Sequence, residues 1–360
     1  MLTRMPDASL EHRCLEILVS APVRPDAGRT IGQSVEGRPV VGYRLGSGQP
    51  RVSLIAGCHA DEPVGPELLR RLTGLLLTLP ADDPLLRAAE WWIVPHVNPD
   101  GELRNRSWQL PIPDAFDPVR TLEGAIRELP GDDLEFGFPR DGRDEDARPE
   151  SRAVLDWWRE ADGPFSLHAS LHGMGFAAGP WYLIEPGWVD RSRTLRATCR
   201  RRTRELGYLL HDVERNGEKG FQRIERGFCT RPDSDAMRVY FLERDDPETA
   251  GRFRPSSMEA IRQLGGDPLT LVSEMPLFLT PGVGESLGPP DPVLDAWKHR
   301  IAAWRAVLSD PASDQGRLAA EINEAGMRAM PVRDQMELQW TFIAAGLAEV
   351  MRSTGAGRET

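Results

Sequence analysis

The chain has 360 residues, of which 40% are hydrophobic and 28% are charged, a composition typical of a globular protein with one large domain or two. Its formal net charge of −11 argues against a nucleic-acid partner. No apolar run approaches the length of a membrane span, so we expect no membrane partner. The first residues lack the pattern of a signal peptide, and the four cysteines have no paired spacing. Both features favour a cytoplasmic protein with reduced thiols.

A short apolar run at residues 52–56 predicts a buried strand that ends at a glycine. His59 and Glu62 follow it directly, three residues apart. In a loop after a strand, both side chains can turn toward one point and offer a nitrogen and a carboxylate to one cation. Two histidines and one glutamate around an open fourth position form the ligand set of a catalytic zinc site. The pair therefore predicts a metal site that needs one more histidine.

Predicted helices and strands alternate from this loop onward. Residues 64–78 form a predicted helix with a leucine stripe, and two further helices are predicted around residues 154–158 and at 193–210. The alternation between residues 40 and 276 predicts an α/β fold with a mixed, mostly parallel sheet flanked by helices.

A second strand pattern, at residues 165–175, supplies the candidates for the missing histidine. His168 and His172 are four residues apart, so on a strand they share one face. We favour His172 because it lies just before a glycine break, and sites in open α/β sheets gather at the carboxyl ends of strands. His168 is the alternative ligand. Otherwise it is a buried histidine that hydrogen-bonds to its neighbours or orients a ligand.

The apolar run at residues 269–276 contains one acid, Glu274. A carboxylate in such a run is costly to bury unless it is paired or used. Beside a zinc ion, a partly desolvated Glu274 would serve as the general base and acid for the metal-bound water. The alternative is a glutamate at a strand end, capped by backbone donors or paired with an arginine.

The pattern changes near the C-terminus, where helices are predicted at residues 293–308, 318–327 and 336–351. We therefore predict a catalytic α/β domain at residues 1–285 and a helical extension at 286–360 packed on it. The extension would cover the edge of the sheet or form a contact in a homo-oligomer.

Six segments together resemble the zinc carboxypeptidases of the carboxypeptidase A type, from about residue 31 to about residue 278. In chain order they are residues 34–40, His59 with Glu62, Asn-Pro-Asp-Gly at 98–101, the Pro-Glu helix start at 149–154, Leu-His-Gly at 171–173, and Leu-Val-Ser-Glu at 271–274. The resemblance implies one Zn²⁺ per chain on His59, Glu62 and His172. It also implies a metallopeptidase that hydrolyses peptide or peptide-like amide bonds through a zinc-activated water, and hence a peptide or a small acylated amino acid as substrate.

The sequence departs from the family at residues 131–139, where the family has Gly-x-Asp-Leu-Asn-Arg-Asn-Phe-Pro. Glu135 and Phe136 stand at the positions of the Asn-Arg pair that grips the free carboxylate of the substrate. An arginine fork matches a carboxylate with two hydrogen bonds, which phenylalanine cannot make, and Glu135 would repel a carboxylate. Specificity for a free C-terminus is therefore open, with Arg140 or Arg143 as the nearest replacements.

Two further roles follow from the resemblance alone. Many family members have an arginine shortly after the Asn-Pro-Asp-Gly turn that stabilises the oxyanion, and Arg104 and Arg106 are both available there. Met258 lies in the stretch where the family shapes its specificity pocket. The loop tyrosine of the family has no clear counterpart.

Two other functions fit the same residues. One is an amidohydrolase of N-acyl amino acids, of the succinylglutamate desuccinylase or aspartoacylase type, which shares the fold and the metal ligands. The other is a non-catalytic binding protein on a peptidase scaffold. A Glu274 that faces the metal-bound water would favour an enzyme, and a Glu274 in a salt bridge would favour a binding protein.

Overall fold

The computed structural model describes residue 10 and residues 12–130, 132–141, 144–284, 291–310 and 312–356. This part of the chain forms a ten-stranded sheet with helices packed on it. The strands are β1 (Arg29–Gln33), β2 (Pro39–Leu45), β3 (Arg51–Ala56), β4 (Glu90–Val94), β5 (Leu167–Ala177), β6 (Trp181–Ile184), β7 (Arg223–Glu225), β8 (Phe228–Thr230), β9 (Leu269–Leu279) and β10 (Arg328–Ala329).

The α-helices are distributed along the whole described chain. They are α1 (Cys14–Val19), α2 (Val64–Thr78), α3 (Pro84–Ala88), α4 (Pro99–Gln109), α5 (Pro118–Gly124), α6 (Pro149–Arg159), α7 (Arg193–Glu205), α8 (Ser234–Leu242), α9 (Pro247–Arg252), α10 (Ser257–Gln263), α11 (Pro292–Leu308), α12 (Gln315–Glu324) and α13 (Val332–Ala356). None of them combines the length and the apolar character that crossing a bilayer requires.

The strand order is β1-β2-β4-β3-β5-β9-β6-β8-β7, and β10 pairs with β9. The central strands β4, β3, β5 and β9 run parallel, whereas β1, β2 and β6 join the sheet by antiparallel pairs. The predicted α/β fold with a mixed sheet flanked by helices is confirmed. Parallel pairs join the four central strands, where crossover helices connect them, and β6 also pairs in parallel with β8.

Successive residues of β3 pack in two different hydrophobic clusters, which explains why the strand has apolar side chains on both faces. Leu54 packs in a cluster with Leu68 of α2 and Trp340 of α13. Ile55 packs in the opposite cluster, with Trp158 of α6. Every residue of β3 is buried, as expected for a central parallel strand covered on both faces.

The predicted helix at residues 64–78 is confirmed as α2 and lies tightly against the centre of the sheet. A side-chain carbon at Gly65 would lie 2.8 Å from the carbonyl oxygen of Leu171. Glycine at this position therefore lets the start of α2 approach β5 beside His172. The leucine stripe of the helix, including Leu68, Leu69 and Leu72, is buried against the sheet.

Strand β5 differs from its prediction because it does not end at the glycines after His172. It continues to Ala177, and Gly173 pairs with Met275 of β9. The long partner strand carries β5 past the glycines. Since Ala56 pairs with Leu171 at the end of β3, His172 still lies at the level where the neighbouring strand stops.

The C-terminal segment shares the core of the sheet. Helix α13 contacts β5, β9, α2 and α7, and β10 pairs with β9. The Gln339 amide donates to the carbonyl of His172 at 3.3 Å, and the Trp340 indole donates to the carbonyl of Leu10 at 3.0 Å. The three predicted C-terminal helices correspond to α11, α12 and α13. The predicted boundary at residue 285 lies outside the described residues, so the division into two domains stays a prediction.

Candidate metal centre and active site

The loop after β3 turns sharply and is buried. Gly57 has a φ of +75°, in the left-handed region that favours glycine, and its ideal side-chain carbon would lie 2.5 Å from His96. The turn continues to His59 and Glu62, which are only 7% and 6% exposed. The loop thus delivers a histidine and a glutamate to the end of the central strands, just before α2 begins.

His59, Glu62 and His172 converge on one point. The Nδ1 atom of His59 lies 2.8 Å from Oε1 of Glu62, and Nδ1 of His172 lies 3.1 Å from Oε2. The two Nδ1 atoms are 3.3 Å apart. One ligand atom from each of the three residues lies within 4.8 Å of the others, and this is the group of possible metal ligands found among the described residues.

The spacing of these atoms fits a zinc ion. Nitrogen ligands lie about 2.0–2.1 Å from zinc, so two nitrogens of a tetrahedral site are about 3.3 Å apart. Two imidazole nitrogens and a carboxylate are donors that zinc prefers. Because the three donors are buried, a bound cation would be more favourable than leaving their lone pairs without a partner. His59, Glu62 and His172 are therefore suited to hold Zn²⁺ as three protein ligands with an open fourth position.

The charges around these atoms show how strongly the site attracts a cation. Burial acts to raise the pKa of Glu62, but His59, Arg127 and His172 hold that pKa well below its usual value. Burial acts to lower the pKa of both histidines, yet Glu62 and Glu135 hold each pKa well above its usual value. Glu62 is thus ionised, and in the absence of a metal the histidines attract protons to balance it.

The outer nitrogens of both histidines also have partners. Nε2 of His59 lies 3.0 Å from a carboxylate oxygen of Glu135 and 3.8 Å from one of Asp133. Nε2 of His172 lies 2.8 Å from the hydroxyl of Ser170. Such contacts fix the ring orientation and tautomer of metal-binding histidines. Glu135 was predicted to face the substrate, but in the structure its carboxylate contacts the outer ring nitrogen of His59.

Glu274 lies on β9, paired in register with His172 across the two parallel strands. Burial, followed by the charge of Glu62, raises the pKa of Glu274 to about 8. Within the described part of the chain, neither a backbone cap nor an arginine pair holds its carboxylate. Glu274 is thus a carboxyl group beside the triad that can exchange a proton near neutral pH.

Sequence reasoning missed Arg127, whose guanidinium lies against the triad. It donates to Oε1 of Glu62 at 2.8 Å and to Oδ1 of Asp61 at 3.1 Å, and it lies 2.8 Å from Nδ1 of His59. Asp61 and Glu62 raise the pKa of Arg127 against the opposing effect of burial, so it stays charged. Arg127 comes from the irregular segment between α5 and α6, which has no periodic pattern to mark it.

The structure does not bring the two predicted oxyanion arginines to the triad. The guanidinium of Arg104 pairs with Glu36 at 2.5 Å and with Glu128 at 3.2 Å. Arg106 is exposed on the same helix, α4. The Asn-Pro-Asp-Gly sequence starts this helix, with the Asn98 side chain as its cap. The helix carries both arginines away along the surface.

The remaining predicted residues lie elsewhere. Arg140 donates to the carbonyls of Gly251 and Phe253 and is exposed. Met258 is buried in a small cluster with Trp181. Arg143 lies outside the described residues.

His168 is buried between the hydroxyls of Ser53 and Ser257, each 3.0 Å from one ring nitrogen. Burial lowers the pKa of His168 to about 3. Of the alternatives for this residue, the structure favours the buried, hydrogen-bonded histidine.

A cavity of about 480 Å³ opens beside the triad. Glu62, His172 and Arg127 form its inner end, and α11 contributes residues to its other wall. Glu135, Arg140 and Met258 do not line it. Glu62 and His172 of the triad therefore border a space large enough for a small molecule or a peptide segment.

Residues 27–117, which include His59 and Glu62, match the family model described as zinc carboxypeptidase. In this segment the chain is similar to the zinc carboxypeptidase family. Zinc carboxypeptidases use Zn²⁺, and His59, Glu62 and His172 of this chain offer ligands that could hold it.

Curated members of the family match only part of the chain. Carboxypeptidase SOL1 of Arabidopsis thaliana is 31% identical over 170 residues, covering 42% of this chain and 30% of that protein. Carboxypeptidase E of Caenorhabditis elegans is 37% identical over 173 residues, covering 39% of this chain and 35% of that protein. The matches thus span about a third of the length of these relatives. An inactive metallocarboxypeptidase, ECM14 of Uncinocarpus reesii, is 28% identical over 152 residues, covering 38% of this chain and 24% of that protein.

Solved structures resemble this chain at low sequence identity. Bovine thrombin-activatable fibrinolysis inhibitor, in complex with tick carboxypeptidase inhibitor, is 13% identical with a TM-score of 0.47, covering 96% of each chain. A metallopeptidase of Shewanella amazonensis is 14% identical with a TM-score of 0.41, covering 89% of this chain and 92% of the other.

Proposed function

We propose that this protein is a zinc-dependent hydrolase of peptide or peptide-like amide bonds. The observation that carries the proposal is the buried convergence of His59, Glu62 and His172, with the carboxyl group of Glu274 on the neighbouring strand. Three ligands leave one position open, as in catalytic rather than structural zinc sites. A fourth protein ligand would be expected if the metal only stabilised the fold.

The chemistry follows from the groups around that open position. Zinc bound there would polarise the carbonyl of the substrate and acidify a water molecule. Glu274, with its raised pKa, accepts the proton of the attacking water at its carboxylate and then delivers it to the leaving amine. Arg127, already at the triad, donates to the oxygen that gains negative charge. Glu135 holds the ring of His59 in place.

An amidohydrolase of N-acyl amino acids is the second candidate, since it would use the same metal ligands and the same general base. Phe136 is buried and packs edge-on against Phe253 at 5.4 Å, while the carboxylate of Glu135 faces His59. Neither position offers a cation to the free α-carboxylate that the C-terminal residue of a peptide and an N-acyl amino acid both carry on the leaving side. Both candidates break an amide bond with the same residues, and they differ in what lies on either side of that bond.

Activity and metal content test the proposal together. We expect the purified protein to hydrolyse some member of a panel of peptides and N-acyl amino acids, to lose this activity to a chelator, and to regain it with Zn²⁺. Glu274→Gln should keep its zinc but lower kcat by about 10²- to 10⁴-fold, since it removes the proton acceptor. Glu248→Gln, a change at an exposed glutamate, is the matched control.

Two results would contradict the proposal. One is a near-wild-type rate in Glu274→Gln, which would remove this residue from the mechanism. The other is a zinc-loaded protein that hydrolyses no member of the panel while binding some of them, which would favour a non-catalytic binding protein.

A further inference from the structure

We infer that the cavity beside the triad binds the acyl part of the substrate, and that this acyl group has an apolar stem and an anionic end. The inference rests on the proposed function, from which it takes the amide bond that is cleaved. It adds a class of substrate, and it assigns a recognition role to helix α11.

The middle of the cavity is apolar. Strand β5 contributes Met174 and Phe176, strand β9 contributes Met275 and Leu277, and α11 contributes Ile301. Met275, Leu277 and Ile301 are almost fully buried, so these walls are fixed by the core behind them. A hydrocarbon stem placed here would leave water for a preformed apolar surface.

The α11 wall of the cavity carries two cations. Lys298 and Arg305 both line it, and they flank Ile301 at helical spacing, so the three side chains share one face of the helix. The guanidinium of Arg305 has no ion-pair partner among the described residues. The only acid that contacts Lys298 in the described chain is Asp295, at 3.3 Å, in an exposed pair that contributes little.

No acid of the cavity neutralises these cations. The acidic residues that line it are Asp61 and Glu62, and both are bound by Arg127 at the opposite, inner end. The carboxylates of the cavity are therefore bound by Arg127, its lining is largely apolar, and α11 places one cation on either side of Ile301. A carboxylate at the end of an apolar stem complements this arrangement, and an ammonium group in the same place would be repelled.

The position of the cavity indicates which side of the substrate it binds. Glu135 and Phe136, at the positions where the family reads the carboxylate on the leaving side, do not line it. The cavity starts from Glu62, His172 and Arg127 and extends away from them under α11. We therefore assign it to the acyl side of the cleaved bond.

Three amides of phenylalanine that differ only at the far end of an eight-carbon acyl group provide the test. N-suberoyl-phenylalanine ends in a carboxylate, N-octanoyl-phenylalanine in a methyl group, and N-(8-aminooctanoyl)-phenylalanine in an ammonium group. Their binding to the Glu274→Gln protein is measured by calorimetry, and kcat/KM is measured with the wild type. We expect the suberoyl compound to bind about tenfold more tightly than the octanoyl compound, and the aminooctanoyl compound to bind most weakly.

Charge reversal on α11 separates a specific site from general surface charge. The double variant Lys298→Glu and Arg305→Glu should invert the order, so that the aminooctanoyl compound binds best. Arg300→Glu is the matched control, because Arg300 is an exposed cation of the same helix that does not line the cavity. This control should keep the wild-type order.

The outcomes distinguish this inference from the proposed function. Equal binding of the suberoyl and octanoyl compounds, or an equal effect of Arg300→Glu and the double variant, would overturn the inference even if all three amides are hydrolysed. Preferential binding of the suberoyl compound that inverts in the double variant, without hydrolysis of any amide, would support the inference and contradict the proposed function.

Discussion

Two histidines of the same strand have opposite surroundings. His172 directs Nδ1 toward Glu62, whereas both ring nitrogens of His168 contact serine hydroxyls. A ring with both nitrogens engaged cannot bind a metal without losing a buried hydrogen bond. The difference between the two residues therefore lies in the groups around them, and it separates a metal ligand from a residue that connects strand β5 to its neighbours.

A pair of variants at these positions tests the ligand assignment. We expect His172→Ala to abolish stoichiometric zinc binding, because two ligands remain in a site built for three. His168→Asn should retain about one zinc per chain, although it loses one buried hydrogen bond. Metal content after exhaustive dialysis, measured by mass spectrometry on folded protein, is the readout. Zinc that stays in His172→Ala but leaves His168→Asn would reverse the assignment.

The ligand residues could be predicted from the sequence, while the arginine beside them could not. His59, Glu62 and His172 follow or lie within strong strand patterns, and the register of parallel strands brings such positions to one edge. Arg127 lies in an irregular segment whose path depends on tertiary packing. Proximity in sequence indicated Arg104 instead, but helix α4 turns that side chain toward Glu36.

At the scale of elements, the segment at residues 132–141 contributes a carboxylate to the back of the metal site. Glu135 contacts Nε2 of His59, and the buried ring of Phe136 stacks edge-on with Phe253. Arg140 donates to two backbone carbonyls, so its charge is already used to hold the chain around residues 251–253. This segment offers no free cation to a C-terminal carboxylate.

Matched peptides with a free and an amidated C-terminus test the role of this segment. We expect the amidated peptide to have a kcat/KM at least equal to that of the free acid. A docked carboxylate without an arginine fork forgoes hydrogen bonds worth about 1.5–3 kcal/mol each, and it would also face Glu135. A strong preference for the free acid that survives Arg140→Ala would show that another cation reads the carboxylate.

Elements were predictable where one pattern dominated. The leucine stripe of α2 and the buried run of β3 leave little choice of structure. The extent of β5 was not predictable, because glycine normally weakens a strand and only its long pairing with β9 carries it through Gly173. The early start of α12 at Gln315 follows from its cap, Asp314, which lies outside the apolar pattern.

Two buried histidines and one partly buried histidine stay neutral in the folded protein. Burial is the main cause that lowers the pKa of His96 to about 4, that of His168 to about 3 and that of His211 to about 4. Histidine in an unfolded chain has a pKa of about 6.5. Below that pH these histidines bind protons in the unfolded chain but stay neutral in the folded protein. Their contribution to the free energy of unfolding is therefore full above pH 6.5 and is lost as the pH falls toward 4.

The free energy of unfolding should therefore fall as the pH is lowered from 6.5, by up to about 1.4 kcal/mol per pH unit for each of the three histidines. Urea unfolding at several pH values measures this slope. The three histidines together contribute to the change of the free energy of unfolding with pH. His168→Gln should remove about one third of that contribution. His299→Gln, at an exposed histidine of α11, is the control. An unchanged slope in His168→Gln would contradict the prediction.

The sequence indicated the class of fold, but it did not indicate that the C-terminal helix packs against the N-terminal residues and the central sheet. Alternating helices and strands predicted the α/β sheet, because local periodicity reports local structure. Contacts between distant residues, such as Trp340 with Leu10, leave no local pattern, and the C-terminal helices were therefore predicted as an extension. In the structure α13 shares a core with β3.

The hydrogen bond from Gln339 to the carbonyl of His172 also has a consequence for biosynthesis. Chains emerge from the ribosome N-terminus first, at about 5–20 residues per second, so Gln339 appears roughly 10–30 s after His172. During that interval the three ligands already exist, but the strand that holds His172 lacks the helix that supports it. The nascent chain therefore acquires its finished metal centre only after α13 has emerged, and termination before α13 would release a chain with all its ligands and an unsupported site.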